Sequence, residues 1–388
     1  MSQIINSFFL KNGKRILLLT SILITPYCLH ASGDNAPSIG PVRIEFLIFG
    51  LILLGVALFH KQTFRVAVIG LSVLLLFKFI FDPGFNLMEH LFGTTPMVEQ
   101  IMDKELRQGE WGIIINLLGL LLGFALLSKI FEESGVPGTL PNFLPDDWKG
   151  PALLLVFIFV LSSFLDNIAA ALIGGTVALV VFKNKVHTGY IAAIVAASNA
   201  GGSGSVVGDT TTTMMWIDGV SPLNVVHAYV AAGIALVFFA WFAAHQQDKY
   251  HPIQSDSNID IKIDWLKLLI VALILAGAII SNFLYDMPAL GVWIAILIGA
   301  MIRPIPWKEV PGSVKGTIFL LCLVMCASLM PVEELPDASW VTAFALGFLS
   351  SVFDNIPLTK LCLEQGHYDW GMLAYTVGFG GSMIWFGS

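Results

Sequence analysis

The chain has 388 residues, 56% of them hydrophobic and 12% charged, with a formal net charge of −7. Soluble domains carry about a quarter charged residues, so a soluble globular protein is excluded and an all-α polytopic membrane protein is expected. The charge balance gives no footprint for a nucleic-acid partner, and Cys28, Cys322, Cys326 and Cys362 suggest neither a disulfide framework nor a metal centre.

The N-terminus reads "KNGKRILLLTSILITPYCLHASGDN", basic and then apolar and then small. Residues 1–31 are either a signal peptide or an uncleaved N-terminal membrane anchor, and both readings keep the basic end cytoplasmic. Apolar runs follow at about 42–60, 64–81, 111–130, 151–182, 188–216, 221–246, 264–285, 289–302, 315–331, 339–363 and 371–388. A span needs about 20 residues. The 289–302 run is short for that, and 151–182 is long enough to fold into two half-helices. Residues 42–110 read as peripheral helices and an outer connector, its part at 82–110 mixed and somewhat acidic. A first transport repeat is expected at 111–246, linking loop and helices at 247–314, and a second repeat at 315–388.

Within 151–182, the stretch "SSFLDNIAAALIGG" (162–175) sets Asp166 and Asn167 in an otherwise apolar setting. It returns as "SSVFDNI" at 350–356, where Asp354 and Asn355 hold the same places. Downstream, "GGSGSVVGD" (201–209) returns as "GGSMIWFGS" (380–388), with Ser388 opposite Asp209. If 151–182 and 339–363 each enter and leave on one face, Lys61, Arg65, Lys129, Lys149, Lys183, Lys185 and Lys249 fall on the cytoplasmic side. Arg43, Lys78, Lys104 and Arg107 then fall outside, as the positive-inside bias requires. The two hairpins enter from opposite faces. Inverted repeats with re-entrant hairpins and broken transmembrane helices mark secondary transporters, with the site where the breaks meet.

Each Asp-Asn pair can cap the half-helix that follows it. A hydroxyl or amide would cap equally well, and a carboxylate inside a bilayer costs about 3 kcal/mol on insertion scales. Charge at both tips therefore argues for function. Asp209 follows the Gly-rich "SNAGGSGSVVG" and precedes four threonines, Thr210 to Thr213. Unwound backbone and hydroxyl groups there supply the hard oxygen ligands that small cations prefer. Ser162, Asn199, Ser203, Ser205, Ser350 and Ser382 are either supporting ligands or small residues that let helices pack closely. The histidines, such as His90, His187, His227 and His245, read as interfacial. Lys360, six residues past Asp354, is the one basic residue close to either pair.

Two enzyme patterns are weaker fits. "GGSG" at 201–204 matches the G-x-S-G of rhomboid-like intramembrane serine proteases, with His227 one span later, but it leaves the repeat and three carboxylates unexplained. The G-x-G-D of aspartyl intramembrane proteases is absent, because Val206 stands two before Gly208.

The stretches "SSFLDNIAAALIGG", "GGSGSVVGDTTTTMMWI" and "SSVFDNIPL…GFGGSMIWFGS" resemble NhaD-type sodium/proton antiporters of the ion transporter superfamily. The likeness runs from about residue 42 onward. It implies a cation and proton site built from Asp166, Asn167, Asp209, Thr211, Thr212, Asp354 and Asn355, with Ser162 in support. It also implies a moving hairpin core on a scaffold, often as a homodimer, in a bacterial inner membrane. Sodium or lithium ions and protons are then substrates, and no cofactor is expected. Dicarboxylate carriers of the same superfamily typically show Ser-Asn-Thr at the tips, and Ser198-Asn199 echoes that, so an organic-anion or oxyanion carrier is the alternative. The chain stops at Ser388 inside the second broken-helix motif, so a longer protein with a further span is expected. The mechanism expected is competition: protons neutralise the carboxylates, and deprotonation leaves an anionic, oxygen-lined site for a cation.

Overall fold

The computed structural model of the chain describes residues 37–40, 42–253 and 261–383. The expected leader or anchor at 1–31, Cys28, and the end of the second motif from Ile384 to Ser388 lie outside the described residues. A short antiparallel pair, β1 (Ser38–Ile39) and β2 (Val42–Arg43), precedes an otherwise helical chain. The all-α expectation holds. The helices Thr63–Phe81, Trp111–Glu132, Trp265–Tyr285, Glu309–Ser328 and the stretch Pro222–Tyr250 are long and apolar enough to cross a membrane.

Helices α1 (Ile44–Leu58) and α2 (Thr63–Phe81) form a hairpin that packs on α15 (Glu309–Ser328). Short helices α3 (Leu87–Phe92) and α4 (Met97–Met102) make up the connector. Helix α5 (Trp111–Glu132) packs on α15 and on the hairpin of α13 (Trp265–Tyr285) and α14 (Pro288–Ile302). The short run at 289–302 is thus a 15-residue helix. Its Gly291 makes close packing possible, since a β-carbon there would lie 1.9 Å from the Gly277 carbonyl oxygen.

The long run at 151–182 does break in two. After α6 (Val136–Thr139), α7 (Lys149–Ser162) ends, the chain turns at Ser163–Leu165, and α8 (Asn167–Val181) begins. Helix α9 (Thr188–Ser203) then stops at the Gly-rich stretch, and α10 (Thr210–Ile217) begins after it. Helices α11 (Pro222–Val226) and α12 (Ala228–Tyr250) complete the first unit. On α12 the residues Ala232, Leu236, Ala240 and Ala243 are buried, while Val230, Ile234, Val237, Phe238 and Trp241 face outward. That spacing gives one protein-facing stripe and one apolar outer face, as a lipid-facing helix needs.

The second unit repeats the pattern with α16 (Trp340–Ser350), α17 (Asn355–Gln365) and α18 (Trp370–Gly380). The correspondence is atomic. A β-carbon on Gly201 would lie 2.1 Å from the Phe159 carbonyl oxygen, and one on Gly380 would lie 2.3 Å from the Gly347 carbonyl oxygen. Gly201 and Gly380 open the two GGS motifs. Phe159 and Gly347 each stand seven residues before the repeat's Asp. The same glycine therefore seats the same helix on the same turn in both units.

Candidate ion site at the helix breaks

The two Asp-Asn tips are built alike. Asp166 caps α8 by accepting from the Ile168 amide at 3.1 Å, and Asp354 caps α17 by accepting from the Ile356 amide at 3.0 Å. The capping reading of these residues is therefore realised, at about 1 kcal/mol each. Each carboxylate is only half-buried, and each also lines a cavity.

Asp209 caps α10 and is 3% exposed. Its Oδ1 accepts from the Thr211 amide at 3.3 Å, while its Oδ2 is buried with no hydrogen-bond partner. Both Asp166 and Asp354 lie within electrostatic range of it. Helix α18 of the second unit reaches the same carboxylate, and a β-carbon on Gly378 would stand 2.9 Å from Oδ2. The break at 204–209 is thus the meeting point of both units. An unpartnered buried carboxylate oxygen is costly, and a bound proton or cation satisfies it.

Two cavities flank α8. One, of about 910 Å³, includes Asp166, Asp209, Thr210 and Thr213 and extends to Lys129, Glu132 and Glu309. The other, of about 700 Å³, includes Asn167, Asn199, Asp209, Asp354 and Asn355 and extends to His60 and Thr63. Asp209 and Thr210 belong to both. The basic residues lining them are Lys129, which pairs with Glu132 at 2.9 Å, and His60.

An amide chain ties the units together. Asn167 Nδ2 donates to Asn199 Oδ1 at 2.9 Å, and Asn199 Nδ2 donates to Ser382 Oγ at 2.9 Å. Of the hydroxyls, Ser162 and Thr211 are buried with unpartnered oxygens, like Asp209 Oδ2. Ser350 instead donates to the Val377 carbonyl at 2.6 Å. Ser203 donates to the Ala200 carbonyl at 2.8 Å, as a hydroxyl within a helix does, rather than to His227. Ser205 Oγ accepts from the Val207 amide at 3.3 Å. Thr212 donates to the Ser205 and Asp209 carbonyls, which braces the break. Thr210 and Thr213, rather than Thr211 and Thr212, face a cavity.

The site set expected from sequence took Thr211 and Thr212 from the threonine run and left out Thr210, Thr213 and Gly378. The threonine run named the right turn but not its phase, and Gly378 lies two residues ahead of the GGS motif that marks the repeat. Lys360, singled out for its closeness to Asp354, turns away from it, with its Nζ 3.0 Å from Glu110 Oε2. Cys322, Cys326 and Cys362 are buried and free, as expected of small apolar residues. Among the described residues no group of His, Cys, Asp and Glu could hold a transition metal.

The resemblance carried by the Asp-Asn pairs and the threonine run is borne out by the relatives. "Sodium/proton antiporter 1" of Arabidopsis thaliana is 25% identical over 273 residues, covering 59% of this chain and 47% of its own length. "Na(+)/H(+) antiporter NhaD" of Alkalimonas amylolytica is 25% identical over 292 residues, covering 59% of each. "Sodium/proton antiporter 2" of Arabidopsis thaliana is 24% identical over 289 residues, covering 62% of this chain and 68% of its own length. The chain thus spans about half the length of the first two. The citrate transporter family model matches residues 51–380, most of the chain, including both Asp-Asn hairpins and the broken helix. These are names of transporters, not of enzymes, and the chain is an integral membrane protein that belongs to the citrate transporter family.

Proposed function

We propose that the protein is a secondary transporter that exchanges sodium, or lithium, for protons by alternating access. The observation that carries this reading is Asp209, buried at the meeting point of both units with an unpartnered carboxylate oxygen. Asp166 and Asp354 lie within electrostatic range of it, and Asn167, Asn355 and the break's backbone supply neutral oxygens. With protons on the carboxylates the site is near neutral and holds a cation weakly. Loss of those protons leaves an anionic, oxygen-lined site suited to a hard monovalent ion. Proton and cation then exclude each other, and the three carboxylates titrate as one coupled set. Hairpins and broken helices would move against the scaffold of α5, α13, α14 and α15 to expose the site to each face in turn. A homodimer in the bacterial inner membrane fits this scaffold-and-core plan.

The family's description favours a second reading, a carrier of citrate or a similar organic anion. Charge argues against it. Two like charges about 4 Å apart repel by about 4 kcal/mol at an effective dielectric near 20. The two cavities are lined by Asp166, Asp209, Asp354, Glu132 and Glu309 against Lys129, already paired, and His60. A tricarboxylate would have no fixed positive charge to meet.

The two readings separate in proteoliposomes of the full-length protein. Sodium added outside should drive proton efflux, while labelled citrate should not accumulate with or without a sodium gradient. Citrate uptake without sodium-driven proton movement would overturn the antiporter reading.

A further inference from the structure

A second buried cluster of ionisable groups lies away from the ion site. Lys360, on α17, has a side chain only 1% exposed. Its ammonium sits 3.0 Å and 3.2 Å from the two carboxylate oxygens of Glu110 and also pairs with Glu364, one turn further along α17. Asp218, just after α10, and His90, in α3, lie within electrostatic range. No residue of this cluster lines either cavity. Those cavities approach the ion site from the ends that carry Lys129, Glu132 and Glu309 or His60 and Thr63. The cluster lies at the other end of α5, beside the connector.

The partners sit on different elements, although α17 also packs on α15. Glu110 immediately precedes α5, which packs on α13, α14 and α15. Lys360 is carried by the half-helix that Asp354 caps. A buried lysine held between carboxylates is strongly bound where it sits, and Glu110 without it would be a stranded buried charge. We propose that Lys360 and Glu110 form a latch that ties the second hairpin to the scaffold and holds this face closed. Glu364 keeps the lysine in place on its own helix. The Glu110 contact parts whenever the ion site opens toward the connector, and Glu364 then keeps Lys360 paired. The inference rests on the alternating-access reading.

Cys362 is a built-in reporter. It lies two residues from Lys360 on α17 and is buried against the neighbouring helices. In the full-length protein with its other cysteines replaced by alanine, a membrane-impermeant maleimide added from the connector side should label Cys362 slowly. Glu110→Gln should raise the rate by roughly tenfold or more, because loss of one partner of a buried pair shifts the closed state by at least that factor. Lys360→Met should act in the same direction. The double exchange Glu110→Lys with Lys360→Glu should restore slow labelling, whereas Glu89→Gln, on the exposed connector, should leave it unchanged. If Lys360→Met fails to fold, Glu110→Gln still decides, since Lys360 retains Glu364. An unchanged rate in folded Glu110→Gln, or no slowing in the double exchange, overturns the latch. Labelling needs no ion flux, so the latch stays testable in a protein that fails to exchange sodium for protons.

Discussion

Asn199 shows how one amide can matter more than its polarity suggests. It accepts from Asn167 and donates to Ser382, so it holds the tip of the first hairpin against the broken helix of the second unit. A hydrogen bond contributes about 1 kcal/mol net, and a partner left unsatisfied costs more. Asn199→Ala should therefore weaken apparent sodium affinity by roughly tenfold, at about 1.4 kcal/mol per decade, with the protein still folded. Sodium titrations of exchange rate would check this, and unchanged affinity would remove Asn199 from the site. Sequence made Asn199 a candidate only alongside the serines, as either a supporting ligand or a residue that lets helices pack closely. Its partners were beyond reading, since one lies 32 and the other 183 residues away. Glu110 was hidden for the same reason, at 250 residues from Lys360.

Glu110 also carries a pH prediction. Burial pushes its carboxyl above the ordinary glutamate range, Lys360 pulls the other way, and Glu364 adds to the rise. The direction fixes the sign. Glu110 takes up its proton at a higher pH than a free glutamate, so its attraction for Lys360 is intact above that raised value and fades as pH falls through it. Asp218 and His90 also lie within electrostatic range of Lys360. Acidifying the connector side should therefore speed Cys362 labelling in the chain that retains Glu110 and change it little in Glu110→Gln. Equal acid responses in both would dissociate Glu110 from the latch.

Between elements, glycine sets the distances. Gly201 and Gly208 press α9 and its break against α7, with no room for a β-carbon beside the Phe159 and Ser162 carbonyl oxygens, at 2.1 Å and 2.0 Å. Both lie against backbone, which cannot swing aside. Overpacking of this kind costs about 1–3 kcal/mol or more. Gly201→Ala and Gly208→Ala should each lower the melting temperature in detergent by several degrees and disable transport. Gly233→Ala on α12 meets open space and should be neutral or stabilising by up to about 1 kcal/mol. A neutral Gly208→Ala would mean that the break does not depend on this contact. The hairpins were legible because an Asp-Asn pair twice interrupts an apolar run. The facing direction of the threonines was not, because α10 is only eight residues long and its phase is set by the Asp209 cap and the bracing of Thr212 and Thr213 on carbonyls of the break.

Across the molecule as a whole, two units of one design meet at a carboxylate that only the first supplies in the described residues. The repeat could be read from sequence because both its motifs keep their order. That Gly378 of the second unit touches Asp209 of the first could not, since it depends on how the units dock. Everything proposed for transport depends on protons and cations competing for Asp209 and its two neighbours. Proton release on adding sodium to purified full-length protein, in weak buffer near neutral pH, reads that competition without any transport step. Competition predicts protons released on sodium addition, none on addition of the large cation choline, and strongly reduced release from Asp209→Asn. Sodium binding without proton release, or equal release from Asp209→Asn, would contradict it.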